Sequence, residues 1–439
     1  MTRPAVSACS FACSAALVLC IQAGAHAQTI SGVLRAKAQA ETAIRLDDGD
    51  ASLARINVLP RYLLRGTAGW RGEVSGRLVA ASDGTGLGTT ETFSSASRPL
   101  DIGPHGRIEL DRAFITLGTG DHRLTLGKQS LAWGILDGLQ VTDRFDPINR
   151  TEAVFGEVRP QRLARWGARW QGQLAGLEFD AAAAFDPTVN QLPLAGAAFA
   201  PRAPRLRAGF PEGAQTPPVT ISTRDRYISD ATYGLRISRP LGQSEASLVL
   251  ISGPETEPVF AAVLTPSGPV VELRYPRRTL IGATFERSDG PRVWRLEAAY
   301  TPGQPVNVLA APFIAAADRP RYLGGLGLDW SAPNNVFVNL QIGVDHIDAG
   351  GMTLVRPQTD VIATLRLQRA FHNERLWLKS ELLGSLSEGD GAIRPWMEWR
   401  QSDNVLFSVG ADLVWGHSHG LFGQYAEQSR LWMRVNTNF

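Results

Sequence analysis

Arginine is the side chain with the most chemical potential in this sequence. Lys and Arg together number 44, and all but Lys37, Lys128 and Lys379 are arginine. A guanidinium is always charged and offers paired donors that match carboxylate or phosphate. Asp and Glu number 42, for a formal net charge of +2, so the chain as a whole does not advertise itself to nucleic acid, and none is expected as a partner. The placement of the arginines is more telling. Within segments of alternating polarity, Arg71, Arg77, Arg123, Arg165, Arg169, Arg236, Arg295, Arg366, Arg394, Arg400, Arg430 and Arg434 fall with the polar set, and Lys128 is grouped with them as a lining residue. Glu73, Asp230, Glu297, Asp345, Glu398 and Asp412 would partly neutralise them. An inward file of cations guides anions; the same residues could instead pair across strands and brace a wall.

Catalytic constellations are sparse. His417-Ser418-His419 and Asp345-His346 are the candidates, and a histidine beside Ser or Asp can activate a nucleophile or water. On a strand, however, alternate residues share a face, so His417 and His419 cannot build a triad with the intervening Ser418. Two imidazoles are fewer than a stable zinc site needs. Cys9, Cys13 and Cys20 are the three cysteines, all within the first 27 residues, which removes thiol chemistry from the remainder. Neither a cofactor nor a metal is expected, and the chain is read as a non-enzyme, with a hydrolase built on His417 and Asp345 as the lesser alternative.

The elements that must position these groups alternate with period two. Val336, Val338, Leu340, Ile342 and Val344 alternate with Phe337, Asn339, Gln341 and Asp345, and similar runs cover Trp70–Ala80 and Val405–Trp415. This is the pattern of strands with one apolar face. Mean hydropathy is −0.09, and no apolar run after the N-terminus reaches the roughly 18 residues a membrane helix needs. A membrane-spanning chain would therefore have to be a barrel. Connections sort by parity: tight ones at Arg65–Gly69, Gly118–Asp121, Gln171–Ala175, Arg239–Gln243, Arg287–Pro291, Ser331–Asn334, Ala370–Glu374 and Arg400–Asn404 alternate with long ones at Ala81–His105, Ser130–Gln161, Asp186–Asp225, Ser252–Pro276, Thr301–Arg319, His346–Gln358, Ser385–Ala392 and Gly416–Gln428. Short periplasmic turns and long outer loops are the layout of outer-membrane barrels. The expected fold is all-β, a single transmembrane antiparallel barrel of about eighteen strands, with about sixteen as the alternative. Thr29–Arg45 is its first strand, although the Ala-rich Arg35–Ala43 could equally begin a helix, in which case Pro258–Leu264 would supply the missing strand. Residues 1–27 read as a signal peptide, with Arg3, the apolar Ala15–Ile21 and the cleavage pattern Ala25-His26-Ala27, leaving 28–439 as the barrel domain.

Two resemblances add to this. The last strand, Ser429–Phe439, resembles the closing strand of Gram-negative outer-membrane barrels, whose terminal Phe is read by the insertion machinery; Phe439 would take that part. The segment Leu124–Arg150, with Gly127-Lys128-Gln129, Trp133-Gly134 and Asp146-Pro147, resembles alginate-export-type porins and related barrel families, with Asp-Pro where the usual dipeptide is Asn-Pro. The resemblance implies a channel of the outer membrane, in contact with lipid and lipopolysaccharide. Loops longer than about 12–15 residues are usually functional or disordered, and an eighteen-stranded barrel leaves room inside. Ser130–Gln161 is therefore expected to fold into the lumen as a constriction presenting Trp133, Asp137, Asp143, Asp146 and Asn149. Asp186–Asp225, with Arg202, Arg205 and Arg207 among Pro and Gly, has the composition of a mobile surface loop. The function expected is passive diffusion of small polar or anionic solutes, or acidic saccharides, past an arginine-rich lining; a structural or assembly barrel partnered with an export or surface system is the alternative.

Overall fold

The structure is a computed structural model that describes residues 30–439, excepting 67–68, 154, 156–160, 208–217, 222–225 and 311–312. The signal-peptide and cysteine readings lie outside the described residues. Eighteen strands form one closed antiparallel barrel. Each strand pairs with its neighbour in the chain, and Arg430–Asn438 returns to pair with Ile30–Arg45 and close the wall. The Ala-rich start is a strand of 16 residues. Its backbone is satisfied on both edges from Lys37 to Arg45, by Ala51–Gly66 on one side and the last strand on the other, which a helix there could not offer.

The alternation of polarity decides which face turns outward. Val74, Leu78, Leu340, Ile342, Val344, Val409, Leu413, Leu431 and Met433 are exposed, while the interleaved Glu73, Ser75, Asn339, Gln341, Ser408, Asp412 and Arg430 are buried. Polar side chains line the interior and apolar ones the exterior. Such an exterior is stable only against hydrocarbon.

The short-turn rim uses the left-handed backbone repeatedly. Asn334 and Asn335 hold φ of 61° and 58°, the pair of positive values that a tight hairpin matched to strand twist demands. The opposite rim carries the long loops, with two departures from the expected lengths. Thr301–Arg319 is not a loop. Strands Arg292–Ala310 and Phe313–Ala332 stay paired as far as Ala310 with Phe313, past an irregularity at Thr301 and Gln304. The reason is a second apolar surface: Val306 and Val308 pack with Ile347, Ala315, Ala317 and Leu354, so the hairpin has something to bury above the barrel. Ser385–Ala392 also shrinks, because strands Leu376–Ser385 and Asp390–Arg400 leave a connection closed by the Gly389 N–H on Ser385 O at 2.9 Å. Val259–Thr265, close to the reserve strand Pro258–Leu264, stays out of the barrel and pairs with Gly268–Arg274 in a small sheet with Val219–Ile221.

Candidate functional site: the lumen and its crossing loop

The segment between strands His122–Gln129 and Arg165–Leu174 folds into the barrel. Leu131, Trp133, Leu136, Val141 and Phe145 form one buried cluster with the inward Ala182, Ala184, Val249, Ile251, Leu280, Ala299 and Leu323. These wall residues come from strands Leu177–Ala184, Ser244–Pro254, Arg277–Asp289, Arg292–Ala310 and Phe313–Ala332. The wall there is cut back to backbone to admit the loop. A Cβ built on Gly234 would lie 2.5 Å from the Trp133 ring, on Gly282 2.8 Å from Thr142, on Gly327 2.7 Å from Leu136 and on Gly343 3.1 Å from Leu139; one on Gly325 would also strike Leu136. A methyl at any of these five positions would press on a loop side chain, which would have to shift.

One carboxylate fixes the loop on this wall. Glu297 is fully buried. Its Oε1 accepts the N–H of Ile135 and, at 2.8 Å, that of Leu136, while Oε2 accepts the N–H and hydroxyl of Thr142 at 2.9 and 2.7 Å. Glu297 thus binds loop backbone, and neutralising lumen arginines, as expected of it, is not what these bonds do. Trp133 adds an indole N–H donated to Asp180 at 3.0 Å.

The expected constriction residues play distinct parts. Asp143 accepts the Trp133 N–H at 3.3 Å and pairs with Arg162. Asp146 accepts the Leu131 N–H and faces Arg165 Nε at 3.3 Å, while Arg165 also bonds Phe145 O and Thr232. Burial pushes the Asp146 carboxyl up to about 6, despite Arg165. Asn149 turns the chain by accepting the Thr151 N–H and hydroxyl at 2.8 and 2.7 Å. Asp137 is half-buried.

Past Asn149 the chain reaches the opposite wall, where the contacts are ionic and aromatic. Glu152 bridges Arg55 at 2.5 Å and Arg430 at 3.2 Å. These bonds join a continuous file of alternating charge along adjoining strands. Arg394 pairs with Glu381 and Asp412, Arg430 with Asp412, Arg55 with Glu41, and Arg434 with Glu41, at 2.8–3.3 Å. Burial favours the protonated form of Glu152, but Arg55 and Arg430 hold its carboxyl down at about 2. Phe155 then packs against Phe199 and Tyr425, and its carbonyl accepts Arg394 Nη2 at 2.6 Å.

The arginine lining is therefore largely one of pairs. Arg77 lies 3.9 Å from Glu109, Arg169 bonds Asp180, Arg236 meets Glu245 at 2.7 Å, and Arg295 holds Glu286 and Asp329. Arg71, Arg123 and Arg366 have no salt-bridge partner among the described residues, and Arg366 keeps a buried Nε without a hydrogen bond. Lys128 departs from expectation. It pairs in register with Ala113 and Trp166, one position off the inward file of Thr125, Gln129, Arg165 and Arg169, and is buried. The unusual φ of 122° at Gly127, where a Cβ would strike the Ala113 carbonyl, marks the local irregularity.

Several residues escaped the sequence reading. Arg55 drew no notice, Glu152 lay in the expected constriction loop but was not among its named residues, Arg356 lay in a stretch assigned to a loop and Arg321 just past one; Arg321 and Arg356 clamp Asp345 at 2.7–2.8 Å. Both carboxylate oxygens of Asp345 are taken up by these arginines, and among the described residues no hydrogen bond joins it to His417 or Ser418. Arg144, also missed, is lowered to about 10 by burial and then by Arg321; its Nε donates to Gln140 O at 3.0 Å. The described part of 186–225 is anchored as well: Arg205 pairs with Asp360 at 3.1 Å and Glu388 at 2.7 Å, and the Arg202 N–H bonds Gln424.

Among solved structures, OccAB1 of Acinetobacter baumannii superposes with a TM-score of 0.51 at 9% identity, covering 93% of this chain and 96% of that one. OccD3 (OpdP) of Pseudomonas aeruginosa gives 0.48 at 10% identity over 93% and 91%. These neighbours are outer-membrane porins of the Occ group. The fold is that of an outer-membrane porin barrel. No family model matches the chain, and no curated protein matches it in sequence. A closed barrel with an apolar exterior belongs in the outer membrane of a Gram-negative cell.

Proposed function

We propose that this barrel is a passive channel for small polar or anionic solutes, or acidic saccharides, and that residues 130–161 set its bore. The observation that carries this reading is the loop anchored from one wall to the other across the lumen, by Glu297 on one side and Glu152 on the other. A loop pinned at both walls narrows a lumen without filling it along its whole length. The arginines would act in two ways. Paired ones build a polar lining whose charges are already compensated, so a solute can exchange contacts without being trapped. Arg71, Arg123 and Arg366 supply positive potential that these pairs do not cancel, and the loop's Arg144 adds to it from within reach of Glu255, Glu257 and Asp345. Kinship with alginate-export-type porins, suggested by Leu124–Arg150, would extend the solute class to acidic polysaccharides.

The test is single-channel recording of refolded protein in a planar bilayer under a salt gradient. Stepwise openings with an anion-favouring reversal potential that moves toward zero in Arg144→Ala support the reading. A well-folded barrel without conductance would refute it.

A further inference from the structure

Three indoles converge on the wall beside the ionic file, and the constriction makes no use of them. Trp396 and Trp432 are register partners of the same Gly410, from strands on either side. A Cβ on Gly410 would lie 2.5 Å from the Trp432 ring and 2.6 Å from Trp396 Cβ, so the glycine lets the two side chains meet. Trp377 lies one strand further along, opposite Glu398, and Lys379 lies opposite Trp396. The Lys379 ammonium sits 5.4 Å from the Trp377 ring centre and 5.9 Å from that of Trp396.

The polar atoms of this patch are mutually satisfied. Lys379 Nζ donates to Glu398 Oε2 at 2.7 Å, and Trp396 Nε1 donates to Glu398 Oε1 at 2.9 Å. Trp432 Nε1 donates to Asp412 at 3.2 Å and Trp377 Nε1 to Glu374 O at 3.0 Å. Trp377, Trp396, Lys379 and Glu398 are all half-buried, so solvent still reaches them. Flat apolar faces thus flank a charge-neutral donor and acceptor. Free anions gain little from a cation that is already paired, and a free cation would compete with Lys379 for the same rings. Alkyl chains would leave Lys379 and Glu398 desolvated without replacement. Pyranose rings fit all the constraints, with a C–H face for indole and ring hydroxyls for both Lys379 and Glu398.

We propose that Trp377, Trp396, Lys379 and Glu398 form a saccharide subsite on the channel wall that takes the neutral hexopyranose units of an oligosaccharide. It rests on the channel reading, and the experiment separates the two. Maltohexaose is titrated onto refolded barrel in a planar bilayer. The expected result is concentration-dependent interruption of the current, with apparent affinity weakened about tenfold in Trp377→Ala/Trp396→Ala and largely restored in Trp377→Phe/Trp396→Phe. Current without sugar stays within about twofold throughout, because these rings lie off the loop's anchors. A conducting barrel that maltohexaose does not interrupt, or that it interrupts equally in the alanine variant, overturns the subsite while leaving the channel standing. If the barrel conducts nothing, the channel reading fails, and tryptophan fluorescence of the barrel in micelles still decides the subsite. A saturable change lost in the alanine variant supports it, and no change overturns it.

Discussion

The two walls that hold the described residues of 130–161 do so by opposite means. One is smooth: glycines at 234, 282, 325, 327 and 343 and small or aliphatic side chains receive Trp133, Leu136, Leu139 and Thr142, with Glu297 binding three backbone N–H groups of the loop and Asp180, Arg165 and Arg278 adding further polar contacts. The other is charged, and Glu152 completes a file in which carboxylates and guanidiniums alternate from Glu381 to Arg434. Shape complementarity excludes every larger side chain, whereas ion pairing tolerates neighbours but depends on protonation and salt. A loop fixed in both ways should be rigid at its root and responsive at its far end.

The largest effect is expected at Glu297, which makes more hydrogen bonds to the loop than any other side chain of the smooth wall. Glu297→Ala leaves the N–H groups of Ile135, Leu136 and Thr142 without their acceptor, and each buried unpaired donor costs about 1–3 kcal/mol. Urea unfolding in micelles should show a loss of about 3–5 kcal/mol in total, and single-channel conductance should rise. Unchanged conductance would mean that the root stays in place without its anchor. The next effect separates shape from polarity. Gly327→Leu should cost about 1–3 kcal/mol through overpacking against Leu136. Gly324→Ala, where a Cβ meets nothing within 4 Å, should stay within about 0.5 kcal/mol. Equal losses in both would remove the argument for a fitted wall.

On the charged wall Glu152→Gln should free the far end alone, raising current noise more than mean conductance. Acid should do the same within a defined range. Glu152 is held at about 2 against an ordinary 4.5, so its stabilisation is complete above pH 4.5 and is lost as pH falls toward 2. Asp146 runs the other way. Raised to about 6 from 3.8, it binds its proton more tightly folded than unfolded, so its contribution falls as pH rises from about 4 to 6. Conductance recorded from pH 7 downward should therefore be steady or slightly lower near 5 and noisier below 4.5; a monotonic change through both ranges would contradict the assignment. The smallest effect is expected for Arg366→Ala, a shift of the reversal potential toward zero by a few millivolts, since one of several cations is lost.

The barrel was legible in the sequence because membrane-facing strands obey a strict rule. Val336–Val344 and Val405–Trp415 keep an apolar residue at every second position, and each tight turn announces itself with Gly, Asn or Pro. Where that rule lapses, so did the reading. The hairpin of Arg292–Ala310 and Phe313–Ala332 runs above the membrane, where Val306 and Val308 bury against other loop residues and the Pro and Gly of 301–319 pass for loop composition. That Ser130–Gln161 enters the lumen follows from length and room. Its anchors do not, because Glu297 looks like any inward carboxylate and Glu152 like any loop glutamate until the fold brings Arg55 and Arg430 beside it. Glycines at 234, 282, 325, 327 and 343 were equally silent, since a glycine in a strand reads as weakness and only its neighbour shows it to be clearance.

The closing seam has a consequence for the order in which the molecule is made. Ala36 and Phe439 exchange N–H···O bonds at 3.2 and 2.8 Å, and the ladder from Lys37 with Asn438 to Arg45 with Arg430 joins the first and last strands of the barrel. Every other wall contact links segments adjacent in sequence and can form early. This one cannot exist until strand Arg430–Asn438 has been made, and it carries the greatest loop-closure entropy of any pairing in the wall. Until then the first strand presents an unsatisfied edge, a sticky one by the ordinary rules of β-sheets, and the interval between translation and closure is when this protein is most exposed to aggregation.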